Sequence, residues 1–197
     1  MMKCLLIFYT VLFFFILPED DWQEKLNKNG IIVYVKSTEA SKIKSTKSVE
    51  TINASIEKVK SILLDIAKYP DWVFKCSRAE ILSKTNDSGF YYYQYTEAPL
   101  TISDRDMILL LKISEKVEEI IITIKAEPGK IPEKKGVVRI ALFDSIWTLR
   151  KVKDKTEVTN EITTDPGGSI PAWLINSVIT SGPYSTMLNL KEKAESK

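Results

Sequence analysis

Histidine is absent from this chain of 197 residues. That removes the commonest general base, the commonest metal ligand and every Ser-His or Cys-His nucleophile pair. Cysteine is nearly absent as well: Cys4 and Cys76 stand alone and form no metal-ligand spacing. Neither a metal nor another cofactor is expected, and any catalysis would rest on carboxylates or lysines. Strong charge of either sign is also missing. Lys+Arg 28 against Asp+Glu 26 leaves a net charge of +2, so nucleic acid is not an expected partner. No internal repeat, low-complexity stretch or linker interrupts the chain. What remains is ordinary globular material, 44% hydrophobic and 27% charged, of a length that suits one domain with a sizeable core.

The first residues differ from the rest. Met1-Met2-Lys3 precedes an uncharged run from Cys4 to Leu17 that includes Phe13-Phe14-Phe15-Ile16. A short basic start and a short apolar run match a secretory signal sequence, and the run is brief for a spanning helix. No small-x-small cleavage pair stands between Phe15 and Trp22, so export is the reading and a retained membrane anchor stays open beside it. Residues 1–18 are therefore read as a signal sequence or N-terminal membrane anchor, and 19–197 as the body. The protein is expected to be exported (periplasmic or secreted) or held at a membrane by that segment. With the segment removed, Cys76 has no partner for an intrachain disulfide.

Acidic residues Glu19-Asp20-Asp21 followed by Asn29-Gly30 predict a short helix over 20–28. Residues 31–36 and 43–52 read as strands. Ser55 caps a helix carrying Ile56, Val59, Leu63 and Ile66 on one face and ending before Pro70. Strands follow at 79–84, 90–97, 106–114, 119–126, 137–150 and 156–164, separated by turn residues such as Pro128-Gly129. From Pro171 to about Lys193 an apolar stripe of Leu174, Ile175, Val178, Ile179 and Gly182 predicts one long helix, with Pro183 interrupting its hydrogen-bond ladder. Several strands are apolar on both faces, so the sheet needs cover from helices or from a ligand. A helix over a hollow sheet and an ordinary capping helix both meet that need.

Five motifs in order are specific. They are Trp22 with Gly30-Ile31-Ile32-Val33-Tyr34; Ser55 to Val59 with Tyr69-Pro70-Asp71-Trp72; Arg105-Asp106-Met107; Ile131 to Arg139; and Asp165-Pro166-Gly167-Gly168-Ser169-Ile170-Pro171 running on to Asn176. Together they resemble the START domain, the steroidogenic acute regulatory protein-related lipid transfer domain, over residues 20–193. The resemblance implies an α+β helix-grip fold of the START/Bet v 1-like kind. A curved antiparallel sheet would wrap a long C-terminal helix around a tunnel for one lipid, bound without chemistry. It also implies a lipid partner (sterol, fatty-acyl or isoprenoid), a transient membrane surface and a monomer. Sterol-carrying relatives place a Glu-Arg pair in the tunnel. The aligned positions here are Gln94 and Leu111, so that charged anchor is missing.

The candidate lipid wall comprises Tyr91, Tyr93, Tyr95, Gln94, Leu109, Leu111, Arg139, Phe143, Trp147, Val178 and Gly182. Gly167, Gly168 and Pro183 are candidates for gating. Arg105-Asp106 reads as a structural ion pair or strand-end contact, and Arg139 as a cavity-mouth residue or the carrier of a polar contact inside, with Glu161 as a candidate partner. Trp173, Ile170 and Trp72 are candidates for membrane contact, with Trp72 better placed in the core. The alternative class is an enzyme of the wider helix-grip superfamily, a cyclase, aromatase or hydrolase using carboxylates such as Glu97 or Glu161.

Overall fold

The computed structural model describes residues 21–86, 89–98 and 102–196. The expected signal or anchor segment, 1–18, lies outside the described residues. Ten strands form one sheet: β1 (Gln23–Lys28), β2 (Ile31–Lys36), β3 (Ser45–Ile52), β4 (Cys76–Lys84), β5 (Gly89–Thr96), β6 (Arg105–Glu115), β7 (Glu119–Ala126), β8 (Val138–Arg139), β9 (Leu142–Val152) and β10 (Lys155–Asp165). Their order is β1-β2-β3-β10-β9-β7-β6-β5-β4. Those neighbours pair antiparallel, while the short β8 runs parallel beside the start of β6. Helices α1 (Ile56–Leu64), α2 (Ala172–Ser177) and α3 (Ser181–Glu195) complete the fold. The curved antiparallel sheet with its C-terminal helix is the expected helix-grip architecture.

Residues 23–28 are a strand, not the expected helix. Asn29 and Gly30 both take positive φ, 55° and 82°, which is the backbone of a two-residue type I′ turn. Asn-Gly is the strongest short hairpin signal. Here it joins β1 to β2, and Lys28 pairs directly with Ile31. The acidic start that suggested a helix has no apolar face to support one, since only Leu26 of β1 is partly buried.

The expected strand 137–150 is two pieces. Val138 and Arg139 pair in parallel with Arg105 and Asp106 of β6, and the Ile140 N–H donates to the Asp106 carbonyl. The chain then turns and re-enters the sheet at Leu142. The expected long terminal helix is also two pieces. Val178 caps α2 with a non-helical φ of −119°, and α3 begins at Ser181. Pro183 falls in the first turn of α3, where no N–H is needed. It starts a helix and interrupts none.

Helix α1 begins as expected, with the Ser55 hydroxyl accepting from the Lys58 N–H, and buries Val59 and Leu63. Helix α3 buries Met187, Leu190 and Ala194 on the inner face of the sheet. Its last turns are fastened. Lys191 donates to buried Glu50 at 2.8 Å, and Glu195 accepts from the Asn53 N–H at 2.8 Å. Toward the first turns of α3 the packing opens.

Candidate functional site

The opening is a cavity of about 380 Å³ between α3 and the inner face of the sheet. Period-two alternation decides which side chains reach it. Thr46 comes from β3, Asn160 and Ile162 from β10, Phe143, Ser145 and Trp147 from β9, Ile124 from β7, Met107 from β6, and Tyr92 and Gln94 from β5. Tyr69 and Trp72 follow α1, with their rings edge-on at 5.2 Å. The rim carries Lys44, Phe74, Pro166, Ile179, Gly182 and Pro183. A Cβ built on Gly182 would stand 3.4 Å from the Phe74 ring, so glycine holds this part of the rim open. Among the lining residues Lys44 alone is charged.

The polar side chains of the wall are buried, and several have unused hydrogen-bonding capacity. The Asn160 amide nitrogen donates to the Ser145 hydroxyl at 2.9 Å and to the Ile146 carbonyl at 3.4 Å. Its carbonyl oxygen has no partner among the described residues. The same holds for the Gln94 amide and the Thr46 hydroxyl, in residues only 8% and 4% exposed. The Trp72 indole N–H is enclosed and unpaired. A buried polar group without a partner costs about 1–3 kcal/mol. The wall therefore favours an occupant that can hydrogen-bond.

Of the residues expected on the wall, Gln94, Phe143, Trp147 and Gly182 line the cavity. Tyr91, Tyr93 and Tyr95 do not: they alternate with Tyr92 and Gln94 and point to the outer face. There Lys130 sits 3.9 Å from the Tyr91 ring centre, Lys134 donates to the Tyr93 hydroxyl at 3.0 Å, and Tyr95 donates to Asp104 at 2.6 Å. That last bond pushes the Tyr95 phenol up to about 12 and holds the Asp104 carboxyl below its usual range. Leu109 and Leu111 share the Met107 face but lie beyond the cavity, fully packed in the core. Gln94 pairs across the ladder with Met107, whereas Leu111 pairs with Phe90, so the aligned Gln94 and Leu111 are not facing neighbours. Val178 is 58% exposed, and its neighbour Ile179 lines the rim instead. Trp72 is buried in the cavity wall, while Trp173 is 72% exposed on α2.

Arg139 is neither at the mouth nor paired with Glu161. It binds Asp106 through two nitrogens at 2.6 and 3.1 Å, and donates to the carbonyls of Pro128, Ile131 and Pro132. The Asp106 carboxylate raises its already high pKa. Arg105 is not the partner of Asp106, because successive strand residues face opposite sides. Arg105 donates instead to the carbonyls of Ser103, Pro166 and Gly167. The expected flexible glycine pair is thus held. Gly167 and Gly168 take φ of +63° and +73°, the Gly167 N–H donates to Asp165, and Arg105 ties the loop to β6. These glycines supply left-handed backbone, which other residues adopt at a cost. The signal for all these placements was parity, since Tyr93 and Gln94 cannot share a sheet face.

The comparisons agree with this geometry. The family model described as the START domain matches residues 17–188. An uncharacterised protein of Pseudomonas aeruginosa is 30% identical over 89% of this chain and 88% of its own. The crystal structure of a STAR-related lipid transfer protein fragment from Xanthomonas axonopodis superposes with a TM-score of 0.83, at 29% identity, over 90% of this chain and 100% of that one. Rat phosphatidylcholine transfer protein is 23% identical over 86% of this chain and 82% of its own. The fold, the cavity beneath its C-terminal helix and the extent of these matches give one result: the chain belongs to the START domain family.

Proposed function

We propose that this protein binds a single lipid noncovalently in the cavity and exchanges it at a membrane surface, as a carrier or a sensor. The observation that carries the reading is the largely apolar cavity of about 380 Å³ roofed by α3, a concave site of the size that small-molecule ligands occupy. Removing apolar ligand surface from water supplies roughly 25 cal/mol per Å². The rim suits exchange. Phe74, beside Gly182 of α3, is an exposed apolar side chain on the cavity rim; Trp173, Leu174 and Val178 of the α2 segment, whose neighbour Ile179 lines the cavity, are exposed as well, and aromatic rings favour the bilayer interface. Asn176 fastens α2 through two hydrogen bonds, from the Lys44 N–H and to the Lys42 carbonyl. In this reading α2 and the 178–182 junction move as the gate.

An enzyme on the same fold would need paired acid and base groups beside the substrate. No carboxylate lines this cavity among the described residues. Glu97 is exposed, and Glu161 lies on the opposite face of β10 from Asn160. The noncatalytic reading therefore needs fewer assumptions. Export or anchoring through residues 1–18 belongs to the same proposal, and cell fractionation with N-terminal sequencing tests it.

The functional test is native mass spectrometry of protein purified without detergent, followed by lipid transfer between donor and acceptor vesicles. One copurifying lipid per chain and saturable transfer are expected. Protein that arrives empty and takes up no sterol, fatty acid or phospholipid would overturn the reading.

A further inference from the structure

The cavity wall is neutral but not uniformly apolar. Several of its hydrogen-bonding groups lie on adjoining strands. Thr46 of β3 pairs across the ladder with Ile162 of β10, Ile162 pairs with Ser145 of β9, and Asn160 bonds Ser145. Gln94 of β5 lines the same cavity from another part of the sheet. Asn160, Thr46 and Gln94 are 3%, 4% and 8% exposed and keep hydrogen-bonding capacity that no described residue uses. No opposite charge accompanies them, because the charged lining residue, Lys44, belongs to the rim.

A pure hydrocarbon would leave these groups dry and unpaired. A carboxylate or phosphate held beside Asn160, Thr46 and Gln94 would bring a charge that these neutral groups do not compensate, and burying an unpaired charge costs more than burying a neutral dipole.

We infer that the ligand is an uncharged amphiphile whose hydroxyl or carbonyl group is hydrogen-bonded inside the cavity by Asn160 and Thr46, with Gln94 as a further donor and acceptor. This rests on the lipid-binding reading above and narrows it to a ligand class. The polar end of the ligand lies inside and its chain runs between Phe143, Trp147 and Met107 toward the rim.

The test uses the full chain titrated with dodecanol, dodecane and dodecanoate, and separately mixed with phosphatidylcholine vesicles. Occupancy is read by native mass spectrometry and by fluorescence of Trp72 and Trp147, which line the cavity. Dodecanol is expected to bind one per chain, about tenfold tighter than dodecane, a difference of about 1.4 kcal/mol, and tighter than dodecanoate. Thr46→Val with Asn160→Leu should bring the alcohol down to the alkane without weakening the alkane. Should that pair fail to fold, Thr46→Val alone keeps the side-chain shape and is expected to close part of the gap. Equal affinity for alcohol and alkane, or preference for the carboxylate, would overturn the inference and leave lipid binding intact. Uptake of phosphatidylcholine with none of dodecanol would do the same. Binding of no probe at all, phosphatidylcholine included, would overturn the lipid reading itself.

Discussion

The two faces of the β5–β6 ladder carry opposite chemistry. Outside, Asp106 and Arg139 form an ion pair whose side chains are 1% and 2% exposed, and Tyr91, Tyr93 and Tyr95 are engaged by Lys130, Lys134 and Asp104. Inside, Tyr92, Gln94 and Met107 face a cavity, and Gln94 has no hydrogen bond to a described residue. Charge is buried where both partners come from the chain, because an unpaired buried charge is severely unfavourable. Where the partner is to come from outside, only neutral groups remain, and their cost in its absence is modest. Completeness of pairing separates structure from site here.

Breaking the outer face should have the largest effect. Arg139→Met leaves the Asp106 carboxylate enclosed and frees three loop carbonyls, and is expected to cost about 3–5 kcal/mol. Urea unfolding measures it, and a loss within experimental error would show that the pair is not structural. Gly168→Ala comes next, because a Cβ at φ +73° costs roughly 1–2 kcal/mol in left-handed backbone. The same unfolding midpoint reports it. Gly182→Leu, on the inner side, pushes a side chain against Phe74. Ligand uptake should slow by about tenfold or more while stability shifts by less than about 1 kcal/mol; stopped-flow tryptophan fluorescence separates the two.

High pH probes the groups kept neutral by burial. Desolvation pushes the Cys76 thiol up to about 11 from 9.0 and raises the Tyr69 and Tyr92 phenols above their ordinary value. For an acid whose folded pKa is raised, the unfolded chain ionises first, so stability is full below the unfolded value and falls as pH rises. The decline should begin near 9 and continue through about 11 for Cys76, with the tyrosines extending it upward. Denaturant midpoints across that range check the sign, and Cys76 should resist alkylation at neutral pH until the protein unfolds. The smallest effect is expected at Tyr91, where Tyr91→Ser on the outer face should leave ligand affinity unchanged. A tenfold loss there would put the cavity on the wrong side of β5.

Much of the fold was legible because its signals are local. The Ser55 cap, the β-branched strands and the five ordered motifs each involve neighbours along the chain. Two features are not decided locally. Asn29-Gly30 ends a helix or turns a hairpin equally well, and only the presence of β2 as a partner for β1 decides between them. Residue type alone favours the tyrosines of β5 as a wall, although Tyr93 and Gln94 have opposite parity and cannot share a face. Ile179, Tyr92 and Asn160 carry no local mark as lining residues, because nothing local distinguishes a side chain facing a cavity from one facing the core.

The sequence by itself determined the class of fold, the family, the α1 cap and the lack of histidine chemistry, since composition and short-range pattern suffice for these. Tertiary structure alone decided that Arg139 belongs to Asp106, that the terminal helix breaks at Val178, and that Thr46, Asn160 and Gln94 line one cavity. Those outcomes depend on strands distant in sequence meeting in a particular register. Register is set by the packing of the whole sheet against α1 and α3, so no single stretch of the chain contains it.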